Sequence, residues 1–551
     1  MGPNVPGYRA GSWPLLAWAV MGEATWWQRG VIYQIYPRSF MDSDGDGVGD
    51  LPGILDRLDH LSWLGVDAVW LSPVHPSPMD DFGYDISDYT GVDPVFGTLA
   101  DLDRLIAVAH DRGLRVLLDW VPNHTSDQHP WFQASRSSRD DPKRDWYIWR
   151  DPGPGGGPPT NWLRYVGDSA WCWDERTGQY YYRVFLDSQP DLNWRNPQVQ
   201  EAMFDSLRFW LARGIDGFRI DALVALVEDE RLRDNPPNPH YRPGEDFPYM
   251  RELSIWNIDQ PETRELAARM RKVVDEFGDD QVLLAELGIP LERSVAYYGG
   301  DGDAIQVPFN FELLSATWDA RGIATFVDRY LAALPAGAWP NWVLGNHDTP
   351  RVASRLGPAQ ARVAAMLLLT LPGTPILYQG EELGLTDVPI PPDQVLDPIA
   401  GLVPGRGRDP ERTPMPWAAG SGGGFTTGRP WLPVGDDNLA RNVAAQRDDP
   451  ASMLSLHRRL LGLRRRTPAL VTGTYHPVEA DGDVLAYRRA DGEDRCLIAL
   501  NLGPRPARLE VPAELAGGRV LVSTHPDRDD RPAGAPLDLR ADEGMIVGYG
   551  P

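Results

Sequence analysis

The chain has 551 residues and a formal net charge of -25, from 53 Lys and Arg residues against 78 Asp and Glu residues. This length predicts two or three domains, and the negative charge argues against nucleic acid or an anionic membrane as a partner. The two cysteines, Cys172 and Cys496, can form neither a disulfide framework nor a CxxC metal site, which favours a reducing compartment. No apolar stretch approaches the roughly 20 residues of a membrane span. We therefore expect a cytoplasmic protein, with secretion as the alternative.

The beginning of the chain carries one short apolar run, from Pro14 to Met21, which follows an arginine. The run is too short for a membrane span. We interpret residues 1–24 as a disordered leader, with a signal peptide as the alternative. The folded part is expected to begin at Trp26.

A glycine-rich acidic loop follows the first predicted strand, which runs from Val31 to Tyr36. Acidic residues recur there at alternate positions, and a backbone carbonyl fills the one gap in the series. Oxygens spaced in this way can surround one hard cation. The loop is not an EF-hand, because Gly53 stands at the twelfth position, where a bidentate Glu would be needed. The sequence therefore predicts one structural Ca²⁺ or Mg²⁺, and the expected ligands are Asp42, Asp44, Asp46, Val48 and Asp50.

Helix-like and strand-like segments alternate along most of the chain, and four strand-like runs end in polar residues. These ends are Asp119, Asp221, Glu286 and the pair His347-Asp348. Such alternation predicts a ring of parallel strands with its chemistry on the carboxyl edge. The predicted fold class is α/β, as a (β/α)8 TIM barrel.

Two stretches depart from this alternation. Residues 126–194 are rich in Pro, Gly, Trp and Tyr, which predicts an irregular subdomain inserted after strand 3 and overhanging the carboxyl edge. Beyond Thr467, short apolar runs separated by turn residues predict a C-terminal antiparallel β domain. The predicted organisation is a leader (1–24), a first barrel part (25–125), the inserted subdomain B (126–194), a second barrel part (195–467) and the β domain (468–551).

Three carboxylates on one rim, with an arginine and histidines among them, fit the hydrolysis of a glycoside. The motifs DWVPNH at 119–124, GFRID at 217–221, Glu286 after an apolar strand, and NHD at 346–348 resemble the four signature regions of glycoside hydrolase family 13, the α-amylase family. QPDLN at 189–193 is similar to the fifth region of its oligo-1,6-glucosidase and α-glucosidase branch. The acidic loop is similar to the calcium or magnesium site of that branch. The resemblance runs from about Trp26 to the C-terminus.

The resemblance implies Asp221 as the nucleophile, Glu286 as general acid and then base, and Asp348 as the carboxylate that stabilises the transition state. Adjacent strands would give Asp221 and Glu286 the short separation, about 5 to 5.5 Å, of a retaining pair. Arg219, two residues before Asp221 on the same strand face, would keep the nucleophile ionised. Apolar neighbours would raise the pKa of Glu286, as an acid requires.

The resemblance also implies a pocket for the terminal glucose. Its expected substrate-binding residues are Tyr84, as a stacking face, and the polar Asp85, His124, Arg219, His347 and Arg412. A pocket closed at one end by Asp85 and Arg412 implies exo-action on short substrates.

Ala222 follows the expected nucleophile, where the resembling branch tends to carry Val in α-1,6 enzymes and Thr in α-1,4 enzymes. Its small side chain predicts a broad tolerance of α-linkages together with transglucosylation. Two alternatives stay open: a trehalose synthase-like or sucrose-acting isomerase or transglucosylase of the same family, and a non-catalytic binding subunit. The complete set of three carboxylates disfavours the second. Small α-glucosides are the expected substrates and no organic cofactor is expected, while the sequence leaves the oligomeric state open.

Overall fold

The structure is a computed structural model that describes residues 24–300 and 302–549. Nearly all of the interpreted leader therefore lies outside the described residues. The strands, in chain order, are β1 Ile32–Ile35, β2 Ala68–Leu71, β3 Arg115–Trp120, β4 Trp149–Arg150, β5 Trp171–Asp174, β6 Gln179–Tyr182, β7 Gly217–Ile220, β8 Val282–Ala285, β9 Val307–Pro308, β10 Asn341–Val343, β11 Thr374–Tyr378, β12 Thr474–Val478, β13 Val484–Asp491, β14 Asp494–Asn501, β15 Ala507–Leu509, β16 Arg519–Ser523, β17 Leu537–Leu539 and β18 Gly544–Tyr549.

Helices occupy the connections between the strands. In chain order the α-helices are α1 Trp26–Arg29, α2 Leu51–Leu64, α3 Leu99–Asp111, α4 Pro130–Ser137, α5 Pro197–Leu211, α6 Pro261–Asp275, α7 Leu291–Ser294, α8 Glu312–Ser315, α9 Ala320–Ala333, α10 Val352–Leu356, α11 Pro358–Thr370, α12 Pro398–Leu402, α13 Asp436–Ala440, α14 Val443–Gln446, α15 Met453–Arg466 and α16 Pro468–Val471. None of the helices in the described part of the chain combines the length and hydropathy that a membrane crossing needs.

Eight strands form one parallel sheet in the order β10-β11-β1-β2-β3-β7-β8-β9, which curves into a near-closed barrel. Helices such as α2, α3, α5, α6, α9 and α11 connect successive strands of this sheet. The predicted (β/α)8 TIM barrel is confirmed. Because all eight strands run in the same direction, their carboxyl ends meet at one edge, where the connecting loops surround a common site.

The barrel interior is apolar except in its uppermost layer. Alternate strand residues point inward, and an inner cluster contains Ile32, Ala68, Trp70, Leu117, Val282, Leu284, Val307 and Ile376. Nearer the carboxyl edge, Asp119 on β3 lies in register with Arg219 on β7. The Arg219 guanidinium carbon lies 5.2 Å from the centroid of the Trp70 ring. The apolar core therefore ends below a layer of charged side chains.

Two smaller units complete the chain. The three-stranded antiparallel sheet β4-β6-β5 lies in the connection between β3 and β7, where the sequence predicts an inserted subdomain. After α16 the chain forms the antiparallel sheet β12-β13-β14-β18-β16 and the two-stranded sheet β15-β17. The insertion after strand 3 and the C-terminal β domain are thus confirmed as features of the fold, while their residue boundaries stay predictions.

Candidate active site

One buried arginine contacts three carboxylates at the carboxyl edge of the barrel. Nη1 of Arg219 donates to Asp119 at 2.8 Å and to Asp221 at 2.7 Å, and Nη2 donates to Glu286. These residues come from β3, β7 and β8 or their ends, which are hydrogen-bonded neighbours in the sheet. One positive charge therefore compensates three acidic groups. Because three ionised carboxylates would leave an excess of negative charge, protonation of at least one of them is favoured.

Burial decides where a proton is held in this group. It raises the pKa of Glu286 to about 7, with Arg219 opposing the rise and Asp221 reinforcing it. It also raises the pKa of Asp221 to about 7, again against Arg219, while a hydrogen bond with Glu286 favours the ionised form of Asp221. The two carboxyls therefore titrate as a pair that holds one proton near neutral pH, with Glu286 as the donor. Arg219 limits the rise of the Asp221 pKa, a weaker effect than the sequence predicts.

Asp348, which follows β10, has the opposite electrostatic character. Arg412 Nη2 donates to its Oδ1 at 2.6 Å, and Arg408 Nη1 lies 3.3 Å from the same oxygen. Burial alone would raise the pKa of Asp348, but the positive charges of Arg412 and Arg408 hold it below its usual range. Asp348 is thus ionised at a pH at which Glu286 is still protonated.

Tyr84 and His347 form a stacked pair beside these carboxylates, with ring centroids 5.4 Å apart and 3° between the planes. Gln34 Nε2 donates to His347 Nδ1 at 2.8 Å, which leaves the proton of the neutral ring on Nε2. His347 Nε2 then donates to the Tyr84 hydroxyl at 2.8 Å, and that hydroxyl donates to Asp119 at 3.1 Å. Burial lowers the pKa of His347 to about 3, so the ring stays neutral and this chain fixes the orientation of Tyr84.

The structure corrects the substrate-binding prediction for Asp85. Its side chain is completely buried, and its carboxylate accepts hydrogen bonds from the Ser77 hydroxyl at 2.8 Å and from the backbone amides of Asp80 and Asp81 at 3.0 Å. These bonds fix the conformation of the loop and engage both oxygens of the carboxylate within the protein. Asp81, four residues earlier, instead pairs with Arg408 at 2.8 Å. The local alternation of acidic and aromatic residues could not distinguish the two aspartates.

Arg408 is a site residue that the sequence analysis missed. Besides Asp81 and Asp348 it contacts Asp397, to which Nε donates at 2.9 Å and Nη2 at 2.8 Å. Arg412, by contrast, has no accessible surface, and its Nε donates to the carbonyl of His347 at 2.8 Å. Arg412 therefore positions Asp348 and does not reach the pocket itself. The signal for Arg408 was an arginine in a long Gly- and Pro-rich loop, too weak to rank it above its neighbour.

Two further predicted positions lie next to the pocket. His124 lies behind Tyr84, with Nε2 3.0 Å from the Tyr84 carbonyl, so this nitrogen is already engaged by the protein. Ala222, directly after Asp221, adopts a left-handed conformation with φ of +46°. A β-branched residue would be strained at such a φ, whereas alanine carries a smaller penalty.

The predicted metal loop is partly assembled. Carboxylate oxygens of Asp42, Asp44 and Asp50 lie within 4.8 Å of one another, as three ligands of one hard cation would. Asp46 is not part of this group, and its carboxylate accepts the Val48 amide at 2.7 Å. Asp50 is also the N-cap of α2, since its Oδ1 accepts the amide of Gly53. The chemistry of the three donors fits Ca²⁺ or Mg²⁺.

Two acidic groups held by one arginine at the carboxyl edge of a (β/α)8 barrel fit the active site of a glycoside hydrolase. The family model described as "Alpha amylase, catalytic domain" matches residues 34–473, and a domain of unknown function, DUF3459, matches residues 473–542. The chain belongs to the α-amylase family, glycoside hydrolase family 13, and to its α-glucosidase and oligo-1,6-glucosidase branch.

The similar proteins support this membership. The probable alpha-glucosidase of Rhizobium meliloti (strain 1021) is 45% identical over 508 residues, which cover 89% of this chain and 92% of that protein. The oligo-1,6-glucosidase of Halalkalibacterium halodurans is 37% identical over 544 residues, covering 92% and 96%. The crystal structure of the alpha-glucosyl transfer enzyme XgtA superposes with a TM-score of 0.90 at 42% identity, covering 96% of this chain and 100% of that one.

Proposed function

We propose that the protein is an exo-acting, retaining α-glucosidase that removes terminal α-linked glucose from disaccharides and short oligosaccharides through a covalent glucosyl-enzyme. The observation that carries this proposal is that one guanidinium contacts both carboxyls: Arg219 Nη1 donates to Asp221 at 2.7 Å, and Nη2 donates to Glu286. Inverting enzymes separate their two carboxyls by about 6.5 to 9.5 Å to hold a water between them, whereas retaining enzymes need about 5 to 5.5 Å. Two carboxyls that follow neighbouring strands and share one guanidinium fit the retaining arrangement.

In the first step Glu286 gives its proton to the glycosidic oxygen and Asp221 attacks the anomeric carbon. The side chain of Glu286 is 28% exposed against 10% for Asp221, so the acid is the more accessible of the two. The bond to the leaving sugar breaks with its electron pair on the oxygen that has received the proton. Asp348, which stays ionised, stabilises the positive charge that develops on the glucose ring.

In the second step Glu286 acts as a base. Once Asp221 is esterified, its negative charge no longer raises the pKa of Glu286, and Arg219 then favours the ionised carboxylate. Glu286 takes a proton from water, the water oxygen attacks the anomeric carbon, and Asp221 leaves as a carboxylate. Two inversions return the α-configuration.

The donor pocket is assigned to Tyr84, Asp81, Asp348 and Arg408. Asp81 and Asp348 offer acceptors to sugar hydroxyls while Arg408 holds both, at 2.8 Å and 3.3 Å. The ring of Tyr84 supplies an apolar face to the glucose. Arg408, anchored on Asp397, closes this end of the pocket, so only a terminal glucose fits.

The test is the time course of products from maltose, isomaltose, sucrose and trehalose. The intact chain should release glucose, and Asp221→Asn should release almost none, while the surface variant Asp205→Asn on α5 should match the intact chain. Equal activity of Asp221→Asn and the intact chain would contradict the assignment. Disaccharide isomers with little free glucose would favour the isomerase alternative on the same fold.

Transglucosylation and a broad linkage tolerance are proposed on two observations. The residue directly after the nucleophile is the small Ala222, and a structure with 42% identity to this chain is that of an alpha-glucosyl transfer enzyme. Rates on maltose and isomaltose are expected to be comparable. A preference of about a hundredfold for one of them, worth about 2.7 kcal/mol, would contradict this tolerance.

A structural Ca²⁺ or Mg²⁺ is also proposed, held by Asp42, Asp44 and Asp50. The ion would neutralise three converging carboxylates and tie the loop after β1 to the start of α2; it takes no part in the reaction. Metal analysis should find one ion per chain, and a chelator should lower the melting temperature of the intact chain. Asp44→Asn should lose both the ion and the chelator effect, whereas the exposed control Asp56→Asn should keep them.

The proposed location is the cytoplasm. Both cysteines are free, with Cys172 half-buried and Cys496 buried, as is usual in a reducing compartment. Detection of the chain in the culture medium of its source cells, and not in their lysate, would contradict this location.

A further inference from the structure

A cavity of about 650 Å³, the basal cavity, lies at the amino-terminal face of the barrel. Its volume is within the range of about 300–1,000 Å³ that small-molecule sites occupy. Its walls include Val31, which directly precedes β1, Arg115, which begins β3, and two arginines in the last turn of α15, Arg464 and Arg465. The basal cavity is therefore at the opposite end of the barrel strands from the donor pocket.

The lining of the basal cavity is strongly basic. Against one aspartate, Asp67, it contains four arginines: Arg29, Arg115, Arg464 and Arg465. Such an excess of positive charge stands out in a chain whose formal net charge is -25. Because salt screens charges of the remaining surface beyond about 8 Å at physiological ionic strength, the local charge decides what binds there. The basal cavity therefore favours an anion.

Carboxylates hold two of these arginines in place. Arg115 Nη1 donates to Asp216 at 2.8 Å, and its Nη2 lies 3.6 Å from Asp280. Arg465 Nη2 donates to Asp67 at 2.9 Å. A guanidinium carries five N–H groups, so each of these side chains keeps donors that the carboxylates do not use. Arg115 and Arg465 are thus positioned by the protein and can still donate to a ligand.

The other two arginines have no carboxylate partner among the described residues. Arg29 is exposed, and its side chain has neither a hydrogen bond nor an ion pair with any of them. Arg464 is 2% exposed, and it donates to the carbonyls of Leu470 at 2.7 Å and Gly373 at 2.6 Å, while its Nε has no partner in the same part of the chain. Arg464 therefore supplies a fixed buried charge, and Arg29 supplies free donors.

A second buried arginine adds to the charge behind the cavity. Arg489 on β13 has no accessible surface, and it shares the Leu470 carbonyl with Arg464. Burial lowers the pKa of Arg464 to about 10, and burial together with the charge of Arg464 lowers the pKa of Arg489 to about 9. Both groups stay charged at neutral pH. Since uncompensated buried charges are costly, an anion in the basal cavity would lower the electrostatic energy of the folded chain.

The buried part of the lining is apolar. Val31, Leu114 and Leu461 are at most 2% exposed, and they line the basal cavity together with the half-buried Trp26. The Trp26 side chain is held in place because its Nε1 donates to the carbonyl of Asp280 at 2.6 Å. Arg29 and Arg465, by contrast, are exposed. The basal cavity thus combines a basic mouth with an apolar floor, which suits a ligand with an anionic group at one end and an organic group at the other.

We propose that the basal cavity is a binding site for a small phosphate monoester, whose phosphate is held by Arg29 and Arg465 and whose organic group lies against Leu461 and Trp26. A phosphate group carries close to two negative charges at neutral pH, and its oxygens match the planar fork of a guanidinium. The bound ligand would connect α15 to the beginnings of β1 and β3, so it stabilises the folded chain. This site does not depend on the proposed α-glucosidase activity.

The first experiment measures the binding of phenyl phosphate by isothermal titration calorimetry, in a phosphate-free buffer at fixed ionic strength. Phenyl phosphate should bind with a Kd below about 1 mM, and inorganic phosphate, which lacks the organic group, should bind about tenfold more weakly. Phenol, which lacks the phosphate, should show no measurable binding. Saturating phenyl phosphate should raise the melting temperature of the intact chain and leave its hydrolysis of maltose unchanged, because the donor pocket lies at the other face.

Variants of the lining test the assignment of the arginines. Arg29→Met should weaken the binding of phenyl phosphate about tenfold, and Arg29→Lys, which keeps the charge without the planar fork, should weaken it less. Arg466→Met is the matched control, because Arg466 is the exposed neighbour of Arg465 on α15 and does not line the cavity. Its affinity should be that of the intact chain.

A further variant should have the opposite effect. Asp67→Asn removes the negative charge of the lining and releases Arg465 from its ion pair, while the amide oxygen can still accept from the Val31 amide. The affinity for phenyl phosphate should therefore rise about threefold. A loss of affinity in folded Asp67→Asn would contradict the proposed role of charge.

Three results would overturn the proposal. They are the absence of saturable binding of phenyl phosphate up to about 20 mM, an affinity of Arg29→Met equal to that of the intact chain, and competitive inhibition of maltose hydrolysis, which would place the ligand in the donor pocket. Equal affinities for inorganic phosphate and phenyl phosphate would overturn the role of the apolar floor. Failure of the intact chain to release glucose from any α-glucoside would instead overturn the proposed function, and it has no bearing on phosphate binding.

Discussion

Strand β7 carries an aspartate just beyond each end, and the two have different surroundings. Asp216, before the strand, accepts from His110 Nε2 at 2.7 Å, from Arg115 Nη1 at 2.8 Å and from the Val116 amide at 2.8 Å. Several donors converge there on one carboxylate. Such an arrangement stabilises the fold, in keeping with the amino-terminal face of a barrel.

Asp221, after the strand, is in the reverse situation. It shares the single guanidinium of Arg219 with Asp119 and Glu286, and burial raises its pKa to about 7. The carboxyl edge thus holds acidic groups that the protein only partly compensates. The two ends of β7 thus have different roles. The carboxylate of Asp216, whose charge is compensated by several donors, stabilises the fold. The partly compensated carboxyls around Asp221 supply a proton and a nucleophile.

The largest expected effect on activity comes from replacing Asp221, and the matching replacement of Asp216 tests the other end of the strand. Asp221→Asn should lower kcat on maltose by roughly 10⁴-fold or more, because the amide cannot form the glucosyl-enzyme. Asp216→Asn should leave kcat within about twofold but lower the free energy of unfolding by about 1–3 kcal/mol, since its charged hydrogen bonds are weakened. Steady-state kinetics and denaturant unfolding measure the two effects. An Asp216→Asn variant with an unchanged free energy of unfolding and a strongly lowered kcat would contradict the structural role of Asp216.

The acidic residues at the carboxyl edge of the barrel could be identified from the sequence as strand ends. The strand ends Asp119, Asp221, Glu286 and Asp348 stand out because an apolar run closing on an acidic residue is a local pattern. The registers of β3, β7 and β8 then bring Asp119, Asp221 and Glu286 to Arg219. The fold class follows from this short-range information, and the catalytic roles of Asp221, Glu286 and Asp348 stay predictions.

Residues from long loops could not be predicted in the same way. Asp81 was missed in favour of Asp85 because the choice depends on which carboxylate the backbone amides of the loop turn inward. Arg408 reaches Asp81 across 327 residues of sequence, through loops with neither helical nor strand periodicity. Its position depends on contacts such as that with Asp397, which no local pattern records.

The second expected effect is on the pH dependence of kcat/KM, and it tests the role of the raised pKa of Glu286. Glu286 must be protonated to act as an acid, so kcat/KM should fall as pH rises through about 7, and should fall again in acid, where the pair gains its second proton and the nucleophile loses its charge. Glu286→Gln should lower the rate on maltose by about 10²- to 10⁴-fold. On an aryl glucoside with a good leaving group, which needs no proton, the same variant should lose the alkaline limb of the first step. Persistence of that limb would assign the proton to another group.

A third, smaller effect concerns the donor pocket. Arg408→Met removes the cation shared by Asp81, Asp348 and Asp397, and should lower kcat/KM about 10- to 100-fold through lost charged hydrogen bonds. Arg441→Met, in the same loop, is the control and should behave like the intact chain. An active Arg408→Met would show that Asp81 and Asp348 hold their positions without it.

The smallest effect is on stability and depends on pH. The pKa of Asp221 is raised in the folded protein, so between its unfolded value near 4 and its folded value of about 7 the folded state binds more protons, and stability falls as pH rises through this window. Asp221→Asn should therefore melt a few degrees above the intact chain at pH 8, and the difference should vanish near pH 4. A variant less stable at pH 8 would contradict the picture of under-compensated charge.

The central claim is that Asp221 forms the covalent intermediate of a retaining reaction, and a trapped intermediate tests it most directly. A fluorinated α-glucosyl fluoride, whose ring fluorine slows breakdown of the glucosyl-enzyme, is incubated with the intact chain, and the digested protein is analysed by mass spectrometry. We expect one added fluoroglucosyl group, on the peptide that contains Asp221, and none in Asp221→Asn. A label on a different residue, or turnover of the reagent with no label and with β-glucose derivatives as first products, would contradict it.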